Sequence, residues 1–78
     1  MDAFELWETR SGNLMGSYET KDEALAVIAD AVRSYGRSYV ETIALMRENS
    51  RGRSQVIAMG SGLADLVEAS QQASTPSA

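Results

Sequence analysis

Two turn signals, Arg10-Ser11-Gly12 and Ser50-Arg51-Gly52, constrain this chain more than any other feature. A three-residue hairpin loop needs a residue in the left-handed conformation at its end, and Gly takes it without a Cβ clash. Each turn lies between short, partly alternating apolar runs: residues 3–9 (AFELWET) and 13–20 (NLMGSYET), then 39–47 (YVETIALMR) and 54–59 (SQVIAM). Such runs around a turn signal predict β-hairpins. In the first, Thr9 faces Asn13, which pairs Trp7 with Met15, Leu6 with Gly16 and Phe4 with Tyr18. In the second, Asn49 faces Arg53, which pairs Met46 with Val56, Leu45 with Ile57 and Ile43 with Met59.

A helix follows each hairpin. Thr20-Lys21-Asp22-Glu23 matches the capping box, and its two acids suit the positive end of a helix dipole. Beyond it, Leu25, Ile28, Val32 and Tyr35 form an apolar stripe at helical spacing, with Ala24, Ala29 and Ala31 beside it. Gly36 is a left-handed stop. After the second hairpin, Gly60-Ser61-Gly62 breaks the strand, Ser61 supplies a cap, and Leu63, Leu66 and Val67 make a shorter stripe. The residues from Ser70 (SQQASTPSA) have almost nothing to bury and predict a disordered tail. The division is a single domain over 1–69 and a tail over 70–78.

The expected fold is therefore α+β, ββαββα, with one four-stranded antiparallel sheet in the order 2-1-3-4 and both helices on one face. The handedness of helical crossovers selects that order. Exchange of the second hairpin between two copies is the alternative.

Two helices cover one face of such a sheet and leave the other open. The covered face is expected to hold Phe4, Leu6, Leu14, Tyr18, Ile43, Leu45, Ile57 and Met59. The open face then holds Trp7, Met15, Val40, Ala44, Met46, Val56 and Ala58, where a solvated antiparallel face ordinarily reads polar. The bland reading is that small residues are tolerated there and that Trp7 lies over its own hairpin. Contiguous apolar surface on a small protein more often marks a partner. Size points the same way: a chain of 78 residues without Cys has no disulfide to add to a small core. Self-association as a two-fold homodimer, with Trp7, Met15, Val40, Ala44, Met46 and Val56 at the interface, is the expectation.

Composition removes much chemistry. With no His and no Cys, the chain lacks an imidazole base, a thiol nucleophile and the ordinary ligands of zinc, haem or iron–sulfur centres. Glu41 stands without a partner carboxylate or nucleophile at useful spacing and reads as an exposed strand start. Gly60-Ser61-Gly62 lacks the Lys of a phosphate loop and the third Gly of a dinucleotide fingerprint. No enzyme activity, no catalytic residue, no metal and no cofactor is expected.

The net charge of −4 disfavours nucleic acid and anionic membranes overall. The charge is nevertheless uneven: −5 over residues 1–32, +3 over 33–53 and −2 over 54–78, which sum to −4. Within the basic middle, Arg47, Arg51 and Arg53 are candidate anion or nucleic-acid contacts. The plain reading is a solvated loop that offsets an acidic N-terminal half. No run approaches the roughly 20 apolar residues of a membrane span, and the acidic N-terminus lacks a signal-peptide pattern. The expected location is the cytoplasm.

The series Glu5-Leu6-Trp7, Gly12-Asn13-Leu14 and Glu23-Ala24-Leu25, with Ala58-Met59-Gly60-Ser61-Gly62-Leu63-Ala64 further on, resembles a group of short uncharacterised bacterial proteins that carry an E-L-W, G-N-L, E-A-L pattern. That group has no known activity. A looser likeness, in element order alone, is to small antitoxin-type and double-stranded-RNA-binding-like α+β domains. It implies a nucleic-acid-binding or antitoxin-like regulator using the Arg-rich segment 33–53, as the alternative to a non-catalytic interaction module.

Overall fold

The computed structural model describes residues 2–74. The order of elements is β1 (Ala3–Glu8), β2 (Asn13–Tyr18), α1 (Lys21–Tyr35), a 3-10 helix η1 (Arg37–Thr42), β3 (Ile43–Glu48), β4 (Ser54–Met59) and α2 (Gly60–Ser74). The strands form one open antiparallel sheet in the order β2-β1-β3-β4, all within a single chain. The expected fold class and strand order are both present.

Local chemistry accounts for the helix boundaries. The Thr20 hydroxyl accepts the Glu23 backbone N–H at 3.1 Å and opens α1. Gly36, at φ +93°, donates its N–H to the Val32 carbonyl and closes it. The second helix needs no Ser61 cap: it starts at Gly60, φ +58°, directly from β4, so Ser61 lies inside it. It also runs on through Ser74, so residues 70–74, assigned to the tail on composition, are helical. Residues 75–78 of that tail lie outside the described residues.

The core sits between the helices and one sheet face. Leu6, Ile43 and Leu45 from the central strands meet Ala24, Leu25, Ile28 and Ala29 of α1 and Leu63, Ala64 and Val67 of α2. Phe4, Tyr18 and Ile57 pack at its margin. Gly16 contributes by its missing side chain. A Cβ there would stand 2.5 Å from the Tyr18 hydroxyl, so the Tyr18 ring lies across the space that Gly16 leaves open.

Four further placements differ from the sequence reading. Residues 37–42 form η1 rather than the start of β3, and Val40 turns inward to 1% exposure, in the core and not on the open face. Arg37 anchors this turn by ion pairs to Asp65 and Glu68 of α2. Tyr35 leaves the apolar stripe: it is exposed and stacks on Tyr39, with ring centroids 5.2 Å apart.

The other two differences are bulges. In the first hairpin, Phe4–Tyr18 and Leu6–Gly16 pair as expected, but Trp7 then pairs with Leu14 and Glu8 with Asn13. Met15 is the extra residue, and Leu14 moves to the Trp7 face. The turn is wider because the Glu8 carboxylate accepts the backbone N–H of Ser11 at 2.8 Å and that of Arg10 at 3.2 Å. Thr9 is drawn away to the Thr42 carbonyl at 2.7 Å. In the second hairpin Met46–Val56 holds, then Leu45 pairs with Ala58 and Ala44 with Met59. Ile57 is the extra residue, which exchanges the expected positions of Ala58 and Met59.

Candidate functional site: the open sheet face

Cross-strand partners share a face, so the register defines the uncovered side of the sheet. One row across it reads Leu14, Trp7, Ala44, Met59, with Met15 bulging beside Leu14. The next row reads Ser17, Glu5, Met46, Val56, and the last reads Ala3, Glu48, Ser54. The face is thus polarised along the strands. The end near the first hairpin turn is apolar, and the end near the second turn is polar and acidic.

Exposure sharpens this picture. Leu14 is 49% exposed, Met15 42%, Val56 48% and Met59 53%. Among the described residues these are four of the six exposed large hydrophobic side chains, so the exposed apolar surface is concentrated on this side. Trp7 and Met46 are half-buried. Ala44 is buried yet lies outside the core cluster. It sits between Trp7 and Met59 on neighbouring strands, and its small side chain lets them close over it. The Trp7 indole N–H reaches the Glu5 carboxylate at 3.4 Å, at the border between the apolar and acidic ends.

Of the expected interface residues, Trp7, Met15, Ala44, Met46 and Val56 are brought together here, and Val40 is not. Leu14 and Met59 belong to the patch and were missed. Alternation alone puts both on the covered face, and only the bulges move them. The uncharged edge strands β2 and β4 were a usable signal, because bulges favour sheet edges.

The arginines do not act as one group. Arg33 pairs with Asp30 on the same helix, Arg37 with Asp65 and Glu68, and Arg47 with Asp2 through its Nε at 2.7 Å. The two carboxylates beside Arg37 hold its guanidinium pKa above the ordinary arginine value, with the hydrogen bond it donates to Asp65 as the largest cause. Arg51 and Arg53 have no ion pair among the described residues. The Glu8 carboxyl is held below its ordinary value, chiefly by the hydrogen bond it accepts from the Ser11 backbone N–H. Glu41 is exposed on η1. Among the described residues, no group of three or more acidic side chains is placed to hold a metal ion, and no helix is long and apolar enough to cross a membrane.

Comparison of the chain with protein-family models, with curated proteins and with solved structures finds no match.

Proposed function

We propose that this chain is a non-catalytic interaction module of the cytoplasm that self-associates as a two-fold dimer through its open sheet face. The observation that carries the reading is the contiguous patch of Leu14, Met15, Trp7, Met59, Met46 and Val56, with no element among the described residues above it. A second copy suits it for three reasons. The patch is apolar across all four strands, so the same surface serves on both copies of an isologous contact. Sheets packed face to face bury such rows about 10 Å apart. Among the described residues only twelve apolar residues are buried, Ala44 of the patch included, so a small chain of this kind gains much from added burial. Glu5 and Glu48 keep their charge in water when contact centres on the Trp7 row and the sheets diverge toward the acidic end.

Sedimentation velocity of the full chain at micromolar concentration tests the reading. The unmodified protein is expected at twice its 8.4 kDa mass, and Met46→Glu at the monomer mass or unfolded if folding and association are coupled. Arg51→Glu is expected to leave the dimer intact. A stable monomer with Trp7 emission typical of exposed indole refutes it. The alternative, a nucleic-acid-binding regulator, now leans on fewer residues, since Arg33, Arg37 and Arg47 each have an acidic partner.

A further inference from the structure

A second region, around the turn between β3 and β4, is unusual in its charge. The turn between β3 and β4 is organised by Asn49, whose Oδ1 accepts the backbone N–H of Arg51 at 2.9 Å and of Arg53 at 3.0 Å. With its oxygen engaged, the Asn49 side chain presents its NH2 group as a donor. Beside it lies a cleft of about 320 Å³ lined by Arg47, Asn49, Arg53, Ser54 and Gln55. Every one of these side chains can donate a hydrogen bond, and none is acidic. An adjoining cleft of about 430 Å³ shares Arg47 and Gln55, adds Lys21, and has an apolar wall of Phe4, Val56 and Ile57. The chain carries 11 acids against 7 bases. Two neighbouring clefts with three cations and no acidic side chain in their walls run against that balance.

We infer that these clefts bind an organic phosphate ester, with the phosphate between Arg47 and Arg53 and its uncharged body against Phe4 and Ile57. Guanidinium groups match phosphate oxygens in paired hydrogen bonds, and the Asn49, Ser54 and Gln55 donors suit the remaining oxygens. The turn that carries Arg53 is fixed by backbone hydrogen bonds, so the point from which its exposed side chain extends toward the cleft is set before a ligand arrives. Arg47 is the adjustable member. Its Nε rests on Asp2 at 2.7 Å, and a phosphate has to compete with that carboxylate. Asp2 therefore restrains binding, and its removal strengthens it. The site borders the proposed dimer contact at Val56, but its phosphate donors Arg47 and Arg53 lie outside the apolar patch and binding does not depend on self-association.

Adenosine monophosphate, inorganic phosphate and adenosine are the probes, read by amide and methyl chemical-shift titration of the full chain. Adenosine monophosphate is expected to shift the amides of 47–55 and the Ile57 methyls, inorganic phosphate to shift the amides alone and bind more weakly, and adenosine to do neither. Arg53→Gln is expected to weaken the nucleotide by roughly tenfold, the scale of a lost charged hydrogen bond. Asp2→Asn should tighten it by about two- to threefold, the scale of one exposed charge pair. Arg33→Gln, at the opposite end of α1 from Lys21, should change nothing. Adenosine binding as tightly as the nucleotide, nucleotide affinity unmoved by Arg53→Gln, or no shift from any probe overturns the inference.

Discussion

The two faces of the sheet use similar residue types to different ends. Toward the helices, Leu6, Ile43 and Leu45 are at most 2% exposed. Toward the other side, Leu14 and Met59 remain about half exposed. The centre of the covered face is built from Leu and Ile, which pack in few rotamers, and the open face from Met, Trp and Val, with Leu14, around a small Ala44. Flexible thioethers and an amphipathic indole tolerate both water and a partner, whereas a rigid aliphatic core tolerates only one packing. The contrast separates a face that specifies the fold from a face that is available for contact.

Breaking the covered face has the largest effect. Leu45→Ala removes the side chain at the centre of the core, and a loss of ~2–5 kcal/mol is expected in chemical denaturation. On the open face, Met59→Glu should abolish the dimer in sedimentation while leaving far-ultraviolet dichroism intact at high dilution, because Met59 faces no core residue. If Met59→Glu instead unfolds the chain like Leu45→Ala, the two faces are equivalent and the contrast fails. Arg37→Gln comes next. Its guanidinium is exposed and joins η1 to α2, so a small fall in melting temperature is expected, and high salt should shrink the difference.

The smallest effect concerns Glu8. Its pKa is lowered in the folded chain, so its contribution to stability is present above the unfolded glutamate range. It is lost as pH falls through the lower, folded value. Ser11→Ala removes the hydroxyl donor but keeps the backbone N–H, the largest cause. A slight upward move of the Glu8 titration midpoint, followed by nuclear magnetic resonance, is the expected result.

Element order and the identity of the central core were legible because three signals agreed. The Gly-ended turns, the capping box at Thr20 and the stripe through Leu25 and Ile28 all demanded the same plan. What escaped was decided by one-residue events. Side chains alternate with a period of two, so a single bulge residue exchanges faces for everything beyond it. Met15 and Ile57 do this at opposite edges, and they place Leu14 and Met59 on the open face. Val40 escaped for another reason. The run YVETIALMR alternates like a strand, while the ion pairs of Arg37 with Asp65 and Glu68 bind residues distant in sequence and hold the first part as a 3-10 turn. The basic cleft was half legible: Arg47, Arg51 and Arg53 were visible as a cluster, but not which acids would claim their neighbours.

The account turns on which surface of one copy meets another, and isotope-filtered nuclear Overhauser spectroscopy on a mixture of labelled and unlabelled chains reads this directly. The expected result is intermolecular contact between the Trp7 indole of one copy and the methyl groups of Met15, Met46, Met59 or Val56 of the other. Contacts confined to the helices or the strand edges, or none at millimolar concentration, would contradict it.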